Sequence, residues 1–497
     1  MPPSSTPTPL ESPISRRGLL TGAAAGAVLA TLPHTSASAA GVGTFGGDPF
    51  TLGIASGDPD ATSVVLWTRL ALKPLDPDFG MQPRKFPVHW QVAHDERFEQ
   101  IVQEGTTFAL PENNHSVHVI PQGLEPDRWY FYRFRAGSEL SPVGRTRTLP
   151  APGAPTNSFT VVHASCQNWR EGLYTAWREI ANDSVDLVLF LGDYIYEGNI
   201  GAPSSYLPRA PLVLPDHARA ACLELENYRY RYTFYKMDAD LQAAHASVPF
   251  VPIWDDHEVV NDFKGPVETG SRLKRAAGAY RAWWENMPTR LPRPSGTSMK
   301  IYRRLEVGDL MQIDMLDSRQ YRTADNDPVV SRLGNEQEAW LIDGIRPNGP
   351  RWNVLAQGQQ LGNIPQASPT RNRIYGAYYE RGVQPVILSG DMHWTVVLDA
   401  LLDVPNADSP IVGTEFIGTS ITSTGDGPGN PATKRNWLKN PWVKYVDGLR
   451  GYIKTEYTHT GVTAVQHDVE FVSRPGGRGF DAQKFFIEPG RAGVQLL

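Results

Sequence analysis

Four short apolar runs in this sequence each stop at a cluster of polar side chains with metal-binding chemistry. "FTVVHASCQNW" ends in Cys166, Gln167 and Asn168, and "VDLVLFLGDYIYE" ends in Asp193, Tyr194, Tyr196 and Glu197. "VPFVPIWDDHEVVND" ends in Asp255, Asp256, His257, Glu258, Asn261 and Asp262, and "QPVILSGDMHW" ends in Asp391 and His393. Runs this short and apolar read as buried strands, and "LMQIDML" and "RWNVLAQG" read the same way. Helical segments lie among them, "ENYRYRYTFYKMDADLQAAHA" and "RLKRAAGAYRAWWENM" included. Such alternation predicts an α/β architecture. In an open α/β sheet, ligands bind beyond the carboxyl ends of the strands. The four clusters are therefore expected to converge on one rim.

Convergence has an electrostatic cost. Two like charges about 4 Å apart repel by roughly 4 kcal/mol at an effective dielectric near 20. Crowded carboxylates must raise their pKa values, stay solvated or bind a cation. The plainer reading of residues 254–262 is an acidic loop capping a helix, with Asp255 or Asp256 at the N-cap and Glu258 in the first turn. Four clusters on one rim favour a metal site. Carboxylates and Asn suit Ca2+, Mg2+ or Mn2+, whereas thiolate and imidazole suit softer metals. A phenol with a pKa near 10 needs a strong Lewis acid, and Fe3+ is the natural candidate. A mixed Cys/Tyr/His set beside an all-oxygen set predicts a mixed-metal centre. One shared carboxylate would bridge two ions about 3.5–4 Å apart, an arrangement that clamps a phosphoryl group.

The rest of the chain sets the frame. A formal charge of −6 argues against a stable nucleic-acid complex, which calls for a basic face. Two cysteines, Cys166 and Cys222, are not a disulfide framework, although they could pair. Residues 1–40 carry "SRRGLL", an Ala/Gly-rich apolar run and "SASAA", the pattern of a twin-arginine signal peptide. No other run is long and apolar enough to span a membrane, so none is expected in the mature chain. Residues 45–149 read as a small β-sandwich from "SVVLWTRL", "FPVHWQVAHD", "HSVHVI" and "RWYFYRFRAG". "LPAPGAPTN" (149–157) reads as a linker, leaving 150–497 as the catalytic domain. Tyr228, Tyr232 and Tyr235 fall at helical spacing and read as core. His163 reads as a buried histidine behind Cys166.

These motifs resemble a known family. "GDYIY" gives G-D-x-x-Y; "DDHE" stands where metallophosphoesterases carry G-N-H-[DE]; "SGDMH" stands where they carry G-H-x-H; and Cys166 stands where the pattern opens with Asp. This set of departures is similar to that of the PhoD-like alkaline phosphatase/phosphodiesterase family. "LGIASGDP", "LDSRQYR" and "NPWVKYVDGLRGY" extend the resemblance from about Phe50 to about Tyr452. It implies an αββα metallophosphoesterase core behind an Ig-like domain, Fe3+ with Ca2+, export through the twin-arginine machinery, and hydrolysis of phosphate esters. By position, Cys166, Asp193, Tyr196 and His393 are implied iron ligands, with Asp193 bridging to calcium. Asp256 and Asp391 are implied calcium ligands, and Asn261 is placed to serve an additional calcium. The metals of Asp391 and His393 are interchangeable at this level.

The resulting expectation is an exported, metal-dependent phosphoester hydrolase, in the periplasm, cell wall or medium, in which a metal-bound hydroxide or oxide attacks phosphorus. His257, Asp255 and Arg319 are the expected catalytic residues. His257 would protonate the leaving group; Arg319 and Arg322 either clamp the phosphate or pair with the acidic rim. The nearest alternative is a phospholipase D-type phosphodiesterase on the same site. A calcium-binding cell-surface adhesion protein is the remote one, since acidic loops alone would suit it.

Overall fold

The computed structural model describes residues 45–497, apart from 203–208, 210–211, 325–326, 328, 363–367, 405 and 428–429. The segment read as an export signal lies outside the described residues.

Two sheets face each other. The first has ten strands and is centred on three parallel neighbours, Ser158–Ala164, Leu187–Leu191 and Phe250–Ile253. The second has seven and is centred on parallel Met311–Leu316, Trp352–Gln357 and Pro385–Ser389. The alternation of side chains along these strands builds the layers. Val354, Ala356, Val386 and Leu388 join a core shared with Val161, Leu189 and Val251. The intervening Leu355 and Ile387 join Leu341, Ile374 and Tyr375 of the helices Asn335–Asp343 and Ser368–Glu380. On the first sheet, Phe190 and Phe250 meet Trp177 of the helix Thr175–Ala181, at ring distances of 5.8 and 5.5 Å. The result is an αββα sandwich. It leaves four strand ends, at Ala164, Leu191, Ile253 and Ser389, beside the clusters named above.

The N-terminal β-rich segment contributes to two sheets. Ile54–Gly57, Val65–Arg69 and Ser116–Val119 extend the ten-stranded sheet, with Gly57 parallel to Phe250. A Cβ at Gly57 would come within 2.3 Å of the carbonyl oxygens of Phe250 and Pro288, so the "SGDP" glycine is required at this junction. A five-stranded sheet including Phe86–Ala93, Ile101–Ala109 and Trp129–Ala136 closes a second core against these strands, with Leu66, Val88, Val117, Tyr130 and Phe134 buried in it.

Two local differences from the sequence pattern have physical causes. The long tyrosine-rich segment is two helices, Leu225–Lys236 and Ala239–Ser247, because the Asp238 side chain caps the second by accepting from Leu241 N; Tyr228, Tyr232 and Tyr235 are all buried. Residues 254–262 start no helix. They form a tight turn in which the Asp256 carbonyl accepts from both Val259 and Val260 at 2.8 Å. Cys166 and Cys222 are both buried free thiols. The C-terminal tail is strand and coil, with Gly479–Ile487 and Gln495–Leu496 at the sheet edge.

Candidate metal centre

The four strand ends meet. Cys166, Asp193 and His393 form one group of potential ligand atoms within 4.8 Å of one another; Asp193, Asp256 and His257 form a second; Asp255, Asp256 and Asp391 form a third. Asp193 belongs to two of them. Its Oδ2 lies 3.5 Å from Cys166 Sγ and 3.1 Å from Tyr196 Oη, which in turn lies 3.1 Å from His393 Nε2. Asn261 stands apart: it is exposed, and its amide donates to Asp262. Arg319 is buried in a bidentate pair with Asp255, at 2.5 and 2.7 Å, and its Nη2 lies 3.3 Å from both Asp256 and Asp391.

The backbone is bent to make this meeting. Cys166, Asp193, Asp391 and His393 all sit at φ between 54° and 69°. Non-glycine residues in that region cost on the order of 1–3 kcal/mol each and persist where the surroundings over-determine them. The clamp is visible. Cys166 N donates to Gly192 O and Gln167 N to Asp193 O, both at 3.1 Å. Gly192, at φ 94°, lies so close to Asp255 that a Cβ would come within 2.5 Å of it. Glu258 ties two strand ends together by accepting from Asp193 N, Tyr194 N and Asp255 N at 3.0, 2.6 and 2.9 Å.

The charge balance of the protein alone is unfavourable. Burial, then the nearby carboxylates, pushes the Asp193 carboxyl well above the usual range. Burial, then Asp193, pushes the Cys166 thiol and the Tyr196 phenol up as well. Asp391 rises to about 6 through burial and Asp255. Glu258 rises to about 7 through burial, against its three backbone donors. Burial alone would lower His257, yet Asp193, Glu197 and Asp256 outweigh it and lift the imidazole to about 10. Burial and Arg450 hold His393 neutral, at about 3. Each of these five acids, Asp193, Cys166, Tyr196, Asp391 and Glu258, is held towards its protonated form. Asp256 Oδ1 is a buried acceptor without a hydrogen bond, its salt-bridge partner being Arg319 Nη2 at 3.3 Å. These observations fit bound cations. Cys166, Asp193, Tyr196 and His393 bring together sulfur, oxygen and nitrogen donors, and Asp255, Asp256 and Asp391 bring together oxygen donors alone.

Further side chains support these ligands. Glu197 Oε2 lies 2.7 Å from His257 Nδ1, its Oε1 accepts from Asn261 N at 2.9 Å, and the His257 ring packs on Tyr196 at 4.2 Å. The stretch "SITST" (420–424) braces the ligands from behind. Ser423 Oγ lies 2.7 Å from Tyr196 Oη and 2.8 Å from the Cys166 carbonyl, and Thr424 Oγ1 lies 3.1 Å from His393 Nδ1. Buried Arg450 holds the carbonyls of His393 and Ser423. His163 is buried behind the site, as its position indicates, and burial pushes it down to about 3. Tyr194 is buried too, with its hydroxyl 2.9 Å from His245 Nε2.

Residues 159–465 match the family described as PhoD-like phosphatase, and residues 35–150 match the PhoD-like phosphatase N-terminal domain. Alkaline phosphatase D of Bacillus subtilis (strain 168) is 40% identical over 489 residues, which covers 91% of this chain and 83% of that protein. A solved structure of PhoD aligns with a TM-score of 0.86 at 36% identity, over 92% of this chain and 93% of its own. The chain belongs to the PhoD-like phosphatase family and is a phosphoric ester hydrolase.

Proposed function

We propose that this hydrolase is an exported alkaline phosphatase/phosphodiesterase that holds Fe3+ at Cys166, Asp193, Tyr196 and His393 and Ca2+ at Asp193, Asp256 and Asp391. One observation carries the reading: a thiol, a phenol and an imidazole gather around the same buried carboxylate. A calcium-binding adhesion module has no use for those three donors. Bound metals would neutralise the phosphate and bring the pKa of water towards 7.

The remaining roles belong to the chain itself. His257 carries the proton for the leaving oxygen. Glu197 accepts from its Nδ1, which aims Nε2 and keeps the ring charged. Glu197 still does so when bound cations cancel part of the pull from Asp193 and Asp256. Asp255 fixes Arg319 as a permanent cation behind the carboxylate side, where it offsets the charge of Asp256 and Asp391. The "SRRGLL" segment supports export after folding, the order a cytoplasmically loaded metal requires. Among the described residues no helix is long and apolar enough to cross a membrane.

The test is elemental analysis and a visible spectrum of the folded protein, together with hydrolysis of a nitrophenyl monoester and a bis-nitrophenyl diester before and after chelation. Iron and calcium together, a tyrosinate or thiolate charge-transfer band, and activity restored only by both metals support the reading. Zinc or manganese in their place overturns the iron assignment. Full activity without metal overturns the metal centre, and the relative rates on the two esters decide between phosphatase and phosphodiesterase.

A further inference from the structure

Among the described residues, Thr424 is the only β-branched residue with a positive φ, at 73°. β-branched side chains are poorly suited to that region, which glycine adopts freely. Packing does not explain the threonine, because it is exposed. Glycine is available next door, at Gly425, yet position 424 keeps a hydroxyl. The backbone is held by a hydrogen bond from Thr424 N to Glu171 Oε2 at 2.6 Å, and by Arg450, which grips the preceding carbonyl.

The hydroxyl points to His393. Thr424 Oγ1 lies 3.1 Å from Nδ1, while Nε2 lies 3.1 Å from Tyr196 Oη in the group with Cys166 and Asp193. A neutral imidazole has one N–H. If the hydrogen sits on Nε2, that nitrogen has no lone pair for a metal. If it sits on Nδ1, it donates to Thr424 Oγ1 and Nε2 is free to ligate. Arg450 Nη2 fixes the His393 carbonyl at 2.8 Å, so both partners are anchored by one guanidinium.

We infer that Thr424 is a positioning residue for His393: its hydroxyl oxygen accepts Nδ1–H, selects the tautomer that presents Nε2 to the metal, and is kept there at the expense of backbone strain. The inference rests on reading His393 as a metal ligand.

The test compares full-length Thr424→Val, Thr424→Ser, Thr424→Gly and His393→Ala with the parent. Iron binding is measured against a chelator, and the melting temperature is measured without metal. Val keeps the shape and loses the hydroxyl, so iron affinity falls about 10-fold or more. Ser restores it. Gly binds iron as weakly as Val, yet its metal-free form melts above the metal-free parent because the strain is gone. Val binding iron as tightly as the parent, while His393→Ala does not, overturns the inference alone. A metal-free Gly variant that melts no higher than the parent overturns its strain component. A parent that binds iron no better than His393→Ala removes the ligand reading and the inference with it.

Discussion

Asp255, Asp256 and Asp391 face a cation that belongs to the chain, the Arg319 guanidinium, at 2.5 to 3.3 Å. Cys166, Asp193, Tyr196 and His393 form the other side of the same rim and have no arginine or lysine within salt-bridge reach among the described residues. Arg450 is nearby, but its hydrogen bonds go to the Ser420 hydroxyl and to backbone carbonyls. The contrast assigns different dependences to the two sides. The carboxylate side is neutralised in part before any metal arrives. The sulfur-containing side has only the His257 imidazolium near Asp193, and its acids stay pushed towards their protonated forms until a metal cation replaces the protons.

Asp193 is where the contrast is sharpest, since it joins both groups. Asp193→Asn removes the shared carboxylate and with it several kcal/mol of charge stabilisation. Hydrolysis is therefore expected to fall by on the order of 10³-fold or more, with iron and calcium lost together. The same variant should make the metal-free protein more stable. The Asp193 pKa is raised in the fold, so its charge costs nothing below the unfolded value of about 3.9 and costs progressively more as pH rises towards the folded value. Asn has no such cost. Chemical denaturation of the metal-free variant at pH 7 to 8 measures this, and a lower stability than the parent would mean that the Asp193 charge is already compensated without metal.

Arg319 tests the opposite side. Arg319→Met leaves the buried Asp255 carboxylate without its partner, and the metal-free protein should lose about 3–5 kcal/mol. The double variant Asp255→Ala with Arg319→Met should recover a large part of that loss, because the stranded charge is gone. If Arg319→Met alone leaves the metal-free unfolding curve unchanged, the carboxylate side is not self-neutralised.

Much of this was legible in the sequence, for one physical reason. Parallel strands buried on both faces are continuous apolar runs, and their ends are where ligands bind. "VDLVLFLG" and "QPVILSG" therefore announced both the sheet and the rim. What stayed hidden acts through hydrogen bonds between distant residues. Ser423 meets Tyr196 across 227 positions, and nothing ionisable marks "SITST". Glu258 reads like its acidic neighbours, because sequence does not distinguish a carboxylate that accepts three backbone N–H groups from one that faces a cavity. Ile54–Gly57 is too short, and its "IASG" too small, to signal a strand that joins the catalytic sheet.

Glu197 belongs to neither side, and it gives the smallest expected effect and the finest test. Its carboxylate is the counter-charge of His257 and accepts from Asn261 N. Glu197→Gln keeps the shape, and its Oε1 still accepts from Asn261 N. The charge that holds the His257 imidazole cationic is lost. On an alkyl phosphate, whose leaving oxygen needs a proton, kcat should fall roughly 10- to 10²-fold with KM little changed. On a nitrophenyl phosphate, whose phenolate leaves without one, the fall should be far smaller. Metal content should match the parent, because no proposed ligand has moved. An equal loss on both esters would mean that Glu197 only props up the turn at Asn261. Lost metal would mean that the His257–Glu197 pair is itself part of the charge balance that holds the cations.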